Sequence, residues 1–233
     1  MQRLIVALQE QIARFALGCV VAFGVSTSAF AQSNLVNVEI SLTVDNYYAL
    51  FAVDPNTNQL TRIGADATGF NVWQTVETYS FTAPFGSYIY VVGRDVGLVA
   101  MFVSKTVFNN STTVLTGVSN PFANWEVNTT YRDLGFKIED PNEVLNWGGD
   151  WQAPAVGRFV DSQDETRIHP SFSQVVGARF IWAQPGGRST WGFEGYTGAG
   201  TALFRLQVVP EPASLMALGA GLAGLIRLRR RKR

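Results

Sequence analysis

The sequence predicts an all-β body, built as an antiparallel β-sandwich or jelly roll, between two short terminal segments of different character. Of the 233 residues, 47% are hydrophobic and 15% are charged, which excludes a disordered chain because disorder requires few apolar residues and a high net charge. Apolar and polar residues alternate in the body, and Gly- and Pro-rich turns interrupt them. No window of the body shows an apolar repeat of 3.6 residues, so we expect few helices.

The first strand is predicted by strict alternation from Val36 to Val44, which is typical of a strand with one solvated face. Asp54-Pro55-Asn56-Thr57-Asn58 then supplies turn chemistry, because Pro fixes φ and Asn tolerates left-handed conformations. Further turns are predicted at 84–87, 93–97 and 185–187. The remaining predicted strands are Thr75–Phe81, Tyr88–Val92, Leu98–Val103, Trp125–Asn128, Val175–Ala183 and Thr201–Val209.

Seven or more short strands separated by such turns favour a sandwich or jelly roll over residues 32–209. A parallel β-helix is the alternative architecture. It requires a repeat of fixed length, and the sequence contains none.

The N-terminal segment, residues 1–31, has the layout of a signal peptide. Arg3 and Arg14 precede an apolar run from Phe15 to Val25, and Ala29 and Ala31 occupy the small-residue positions of a cleavage site. Cleavage after Ala31 by signal peptidase is therefore predicted. A buried N-terminal helix is one alternative.

A lipoprotein signal is the other alternative, and it would use Cys19, which lies in the middle of the apolar run. Cys19 is the only cysteine of the chain. Cleavage after Ala31 therefore leaves a mature protein without disulfides, thiol chemistry or thiolate metal ligands.

The C-terminal segment, residues 210–233, has three consecutive parts. Pro210-Glu211-Pro212 comes first, followed by an uncharged run from Ala213 to Ile226 that reaches about 21 Å as a helix, less than the roughly 30 Å of a bilayer core. A basic cluster that would stay cytoplasmic ends the chain: Arg227, Arg229, Arg230, Arg231, Lys232 and Arg233. An amphipathic surface helix is the alternative, but Ser214 is the only polar residue of the run.

This tripartite tail resembles the PEP-CTERM sorting signal of exosortase systems. The resemblance implies recognition at Pro210-Glu211-Pro212, a transmembrane sorting helix that holds the protein transiently in the inner membrane, and processing by an exosortase-type membrane enzyme. It further implies export and delivery to the cell surface or to the exopolysaccharide matrix of a biofilm.

The charges of the body exclude nucleic-acid binding. Residues 32–209 contain 10 basic and 16 acidic residues, a net charge of −6. Binding to nucleic acid needs clustered Lys and Arg to displace counterions from phosphates.

A second resemblance covers about half of the body. Residues 43–50, 73–81 and 88–92 resemble a β domain of bacterial secreted proteins that carry this tail. Paired acids are expected after the tyrosine-containing strand, but here Asp95 is followed by Val96, which weakens any ion site inferred from that loop.

The segment Tyr131–Ser173 is the least strand-like part of the body. It holds the acidic clusters Glu139–Glu143 and Asp161–Glu165 and the single histidine, His169. Acidic loops either form a solvated surface or bind Ca²⁺ through carboxylate oxygens. Neither cluster fits an EF-hand loop, and one histidine without cysteine partners does not make a zinc site, so we predict no cofactor and no resident metal, with Ca²⁺ as the alternative.

The sequence contains no catalytic signature such as a Gly-x-Ser-x-Gly elbow, and a non-enzymatic protein is predicted. All six tryptophans lie in the body, and indole rings serve hydrophobic cores and the stacking faces of sugars alike. Trp147 and Trp151 flank Asp150 in a loop, where exposed rings beside a carboxylate would form a glycan platform. The sequence thus indicates an exported structural or adhesive component; a secreted carbohydrate-binding module and an envelope polysaccharide hydrolase are the alternatives.

Overall fold

The computed structural model describes residues 35–66, 72–96, 99–128, 130, 132, 134–160, 169–183, 187–188, 193–194 and 200–209. These residues form two antiparallel sheets with little helix, which confirms the all-β prediction. The predicted signal peptide, residues 1–31, and the predicted sorting tail, residues 210–233, lie outside the described residues.

The strands of the described region are β1 (Leu35–Asp45), β2 (Tyr47–Val53), β3 (Leu60–Asp66), β4 (Glu77–Pro84), β5 (Tyr88–Asp95), β6 (Val99–Phe108), β7 (Thr112–Leu115), β8 (Glu126–Asn128), β9 (Trp151–Gln152), β10 (Ala155–Phe159), β11 (Arg179–Trp182), β12 (Gly187–Arg188), β13 (Phe193–Glu194) and β14 (Gly200–Gln207). The helical pieces are the 3-10 turns Val72–Gln74, Gly135–Glu139 and Pro170–Val175 and the single-turn α1 (Pro141–Leu145).

The first sheet has the strand order β10-β11-β6-β1-β4. Strand β6 is long enough to pair with β1 along one edge and with the short strands β7, β11 and β13 along the other. The second sheet has the order β3-β2-β5-β14-β8-β9. The chain crosses between the sheets at Asn46, between β1 and β2, and again at the turn Phe85–Ser87, between β4 and β5.

One hydrophobic cluster draws its buried side chains from both sheets. Alternate residues of β1, such as Ile40, Leu42 and Val44, are fully buried with Leu50 and Phe204 of the second sheet. The side chains at alternate strand positions point to one face. The alternation read from the sequence of β1 therefore marks a face that packs into this shared core.

Two smaller clusters cover the outer faces of the sheets. The segment from Leu134 to Trp147 packs on Phe51 and Leu203 of the second sheet, and the 3-10 turn Pro170–Val175 packs beside Met101 of the first. Because of this cover, the later residues of β1 are buried at every position, although the sequence alternates.

Several boundaries differ from the sequence prediction. The hairpin of β2 and β3 was not among the predicted strands, because Tyr47–Val53 is a nearly continuous apolar run that is buried on both faces and carries no alternation. The predicted strand Val175–Ala183 is strand only from Arg179 to Trp182. Within the described ranges, no helix is long and apolar enough to cross a membrane.

Candidate functional site

The junction between the body and the C-terminal tail is held by backbone hydrogen bonds. The Val208 amide donates to the Ser87 carbonyl at 2.8 Å, and the Gly86 amide donates to the Val208 carbonyl at 2.9 Å. The side chains of Val208 and Val209 are buried. The chain is therefore fixed in the body as far as Val209, and the Pro-Glu-Pro sequence starts at the next residue.

The terminal site residues themselves lie outside the described region. They are the cleavage-site residues Ala29 and Ala31, the motif residues Pro210, Glu211 and Pro212, and the basic residues Arg227, Arg229, Arg230, Arg231, Lys232 and Arg233.

A second candidate site is an aromatic strip on the outer face of the second sheet, made of Tyr88, Tyr90, Trp151 and Arg205. The Arg205 guanidinium carbon lies 4.4 Å from the ring centroid of Tyr88 and 4.0 Å from that of Trp151. The Arg205 Nε donates to Glu126 Oε2 at 2.7 Å. The cation is thus held between two rings and oriented by one carboxylate.

The third ring of the strip, Tyr90, lies between the other two. Its centroid is 6.1 Å from that of Tyr88 and 6.3 Å from that of Trp151. Burial raises the pKa of the Tyr90 phenol. Antiparallel pairing positions the strip, because Tyr90 and Arg205 are direct partners in the β5–β14 ladder and Glu126 faces Arg205 from β8.

The structure corrects part of the predicted glycan platform at Trp147, Asp150 and Trp151. Trp147 is only 4% exposed, its Nε1 donates to the Thr130 carbonyl at 2.7 Å, and it belongs to the cluster under the Leu134–Trp147 segment. Its ring is therefore a core anchor and offers no face to a sugar. Asp150 is exposed, and Trp151, which belongs to the aromatic strip, is half-buried.

The acidic cluster Glu139–Glu143 has structural partners. Glu139 forms an ion pair with Arg62, and Glu143 pairs with Arg132 at 3.1 Å. Asp140 accepts from the Asn142 amide at 2.9 Å and caps α1. These partners account for the cluster without Ca²⁺. The cluster Asp161–Glu165 lies outside the described residues.

His169 precedes the 3-10 turn Pro170–Val175, and its ring packs edge-on against Trp73 at 4.9 Å and Phe172 at 5.7 Å. Among the residues that the structure describes, no group of three or more His, Cys, Asp or Glu is arranged to hold a metal ion.

A buried acidic pair, which the sequence did not reveal, lies where β1 and β5 end. Asp95 is fully buried and Asp45 is 9% exposed. Burial, and then the negative charge of Asp95, raises the pKa of Asp45 from 3.8 to about 7. Asp45 Oδ1 has no hydrogen-bond partner within the described part of the chain. Asp45 continues the polar phase of the alternation in β1, whereas Asp95 lies at the buried phase of β5, so the sequence pattern does not identify the two as a buried pair.

Comparison with known proteins identifies the tail. Residues 208–232 match the PEP-CTERM protein-sorting motif. No curated protein and no solved structure matches the chain. The match confirms the sequence prediction for the tail, and it begins at Val208, inside the hydrogen-bonded end of the body.

Proposed function

We propose that the protein is an exported component of the cell surface or extracellular matrix, and that its body is a non-enzymatic β-sandwich with a structural or adhesive role. The observation that carries this proposal is the PEP-CTERM motif at residues 208–232. The motif supports export, a transient membrane anchor and processing by an exosortase-type enzyme. The sandwich assignment is supported by the cluster that draws side chains from both sheets.

The tail has two functions that mutations separate. We expect recognition to depend on Glu211 between its two prolines, and retention to depend on the apolar run with its basic end, since positive charge stays on the cytoplasmic side. Replacing four arginines by Glu removes the retention signal and releases the protein into the periplasm: Arg229, Arg230, Arg231 and Arg233. Glu211→Ala keeps retention and blocks processing and surface delivery.

The assay is fractionation of the native host, with an immunoblot against the body. Replacing the exposed Lys105 and Lys137 of the body by Glu is the matched control, because it reverses positive charge outside the tail. This control is expected to be localised like the parent. Normal surface delivery and processing of both tail variants would contradict the sorting proposal.

A carbohydrate-binding role is the second candidate, and the aromatic strip is the observation that favours it. Aromatic faces beside a charged hydrogen-bonding group suit a sugar, which has apolar C–H faces and polar edges. Trp151→Ala removes the largest ring of the strip and is expected to abolish binding on a glycan array. Phe159→Ala removes an exposed ring outside the strip, on β10, and serves as the control.

The hydrolase alternative would need two carboxylates open to a sugar ring. Asp45 and Asp95 are close enough to interact electrostatically, but both are buried. Release of reducing ends from a host polysaccharide, lost in Asp45→Asn, would favour the hydrolase and overturn the non-enzymatic proposal.

A further inference from the structure

The described body begins and ends at the same end of the two sheets. In the first sheet, Leu35 pairs with Pro84, so β1 starts where β4 finishes. In the second sheet, Gln207 pairs with Tyr88, so β14 finishes where β5 starts. Only the turn Phe85–Ser87 separates β4 from β5. Leu35 and Val209 therefore lie at one end of the body, which we call the tail end.

Three more loops lie at the tail end. The turn 54–59 joins β2 to β3 there, because β2 runs antiparallel to β5. The turn 109–111 lies beside the start of β1, since the Asn109 amide donates to the Asn37 carbonyl at 2.8 Å. The loop 119–124 precedes β8, whose Glu126 pairs with Arg205, and so extends toward the last residues of β14.

The connections at the tail end carry little charge. The four connections 54–59, 85–87, 109–111 and 119–124 contain one charged residue, Asp54, and otherwise consist of Asn, Ser, Thr, Gln, Pro, Gly, Ala and Phe. The body as a whole carries 16 acidic and 10 basic residues. Although the body as a whole is acidic, the connections at the tail end therefore add little repulsion against an anionic lipid surface.

The tail end also carries exposed apolar side chains. Leu35 is 41% exposed, Phe85 is 53% exposed and Phe122 is 43% exposed. Phe85 precedes Gly86 and Ser87, the two turn residues whose backbones hydrogen-bond to Val208. These three side chains lie at the same end of the body as the point where the tail leaves it, and we call them the apolar rim.

The three residues between the body and the apolar run limit the distance between the apolar rim and a membrane that holds the run. Pro210-Glu211-Pro212 is all that separates the buried Val209 from the apolar run that starts at Ala213. Three extended residues span about 10 Å. A bilayer that takes up the apolar run must therefore lie within roughly that distance of the tail end.

We propose that the tail end rests on the phospholipid bilayer while the tail is inserted, with the apolar rim in the lipid interface. The free energy falls when aromatic and aliphatic side chains move from water into the headgroup region of a bilayer. The occupant of this surface is the membrane, because the short connection to the tail brings the bilayer within reach and the exposed side chains of the rim are apolar. This inference rests on the proposed sorting function, since it requires the tail to insert.

The contact holds the Pro-Glu-Pro segment at the membrane surface. A membrane-embedded processing enzyme would then bind this segment while the body has a fixed orientation on the membrane. The body thus acts as a platform that presents the motif.

The test uses the predicted mature chain, residues 32–233, which contains no cysteine, reconstituted into vesicles of phosphatidylethanolamine and phosphatidylglycerol. A polarity-sensitive fluorophore is attached to Phe85→Cys or Phe122→Cys. Phe159→Cys is the matched control, because Phe159 is 54% exposed and pairs with Arg179 near the middle of the first sheet. Its level on that sheet is close to Leu42, seven residues and about 23 Å from Leu35 at 3.3 Å per residue.

We expect the fluorophores at Phe85 and Phe122 to shift to the blue and to be quenched by nitroxide-labelled lipids, whereas the fluorophore at Phe159 stays in an aqueous environment. If the chain floats with the vesicles but all three positions remain aqueous, the rim does not touch the membrane and this inference alone is wrong. If the chain does not float with the vesicles at all, the tail does not insert, and the sorting proposal fails together with this one.

Discussion

Replacing Asp45 by Asn tests how the buried acidic pair affects folding. Asp45 is 9% exposed and Asp95 is fully buried. Burial and the charge of Asp95 raise the pKa of Asp45 to about 7 in the folded chain, against 3.8 for an exposed aspartate. The folded chain therefore holds this proton more tightly than the unfolded chain does between about pH 4 and pH 7.

The sign and size of the effect follow from linkage. Since the folded state binds more protons than the unfolded state in this window, the stability of the parent falls as the pH rises from about 4 to about 7. One pKa unit corresponds to about 1.4 kcal/mol, so the fall is at most roughly 4 kcal/mol. In Asp45→Asn this contribution to the pH dependence disappears, even if the buried amide adds a cost that is constant with pH.

The measurement is the free energy of unfolding in urea, taken at several pH values from 4 to 8 for residues 32–209. Glu39→Gln is the matched control, because Glu39 is an exposed carboxylate on the same strand, and it is expected to keep the pH dependence of the parent. An identical pH dependence in the parent and Asp45→Asn would refute the argument, because the pair would then cost nothing when ionised.

Three further outcomes are expected. Tyr48→Phe removes a buried hydroxyl that bonds to Glu77 and, at 2.9 Å, to Tyr79, and should lower the free energy of unfolding by about 1–2 kcal/mol in urea denaturation. Gly64→Ala places a Cβ inside van der Waals distance of the Tyr79 ring, and should lower the melting temperature through a cost of about 1–3 kcal/mol. The exported protein should begin at Gln32, which mass spectrometry of the mature N-terminus will show.

Each of these outcomes has its own control. Tyr90→Phe removes a half-buried phenol from the neighbouring strand and is expected to cost less than Tyr48→Phe; an equal cost would mean that the Glu77 cluster adds nothing. Thr61→Ala, at an exposed position of the same strand as Gly64, should leave the melting temperature nearly unchanged, and a stable Gly64→Ala would show that Tyr79 moves freely. An N-terminus at Met1, or a lipid on Cys19, would contradict cleavage before Gln32.

The sequence predicts two of the long strands close to their observed bounds. Strand β1 is predicted at Val36–Val44 and found at Leu35–Asp45, and β14 is predicted at Thr201–Val209 and found at Gly200–Gln207. Strand β2 has no alternation to detect, because the shared core lies on one of its faces and the Leu134–Trp147 segment covers the other.

The tail could be recognised from the sequence because its signal is local. A motif, an apolar run and a basic cluster lie consecutively within residues 210–233. The aromatic strip could not be recognised in this way, because it joins residues of β5, β9 and β14 that are far apart in the chain. The same limit applies to Trp147, because its burial comes from packing in one cluster with Phe51 and Leu203 of the second sheet.

Val208 belongs both to the folded body and to the matched sorting motif. The PEP-CTERM match begins at this residue, yet Val208 is fully buried and bonded through its amide and its carbonyl to the turn Phe85–Ser87. In the folded body the first two matched residues, Val208 and Val209, are therefore buried and not accessible to an enzyme. Pro210 is the first residue beyond the hydrogen-bonded end. An enzyme that needed an extended chain at Val208 and Val209 would have to separate the end of β14 from the β4–β5 turn, whereas one that acts from Pro210 onward would process the folded protein. Gly86→Pro weakens this junction without changing the tail, because proline lacks the amide that donates to Val208 and cannot adopt the φ of 81° at Gly86. Faster processing of this variant is expected only in the first case.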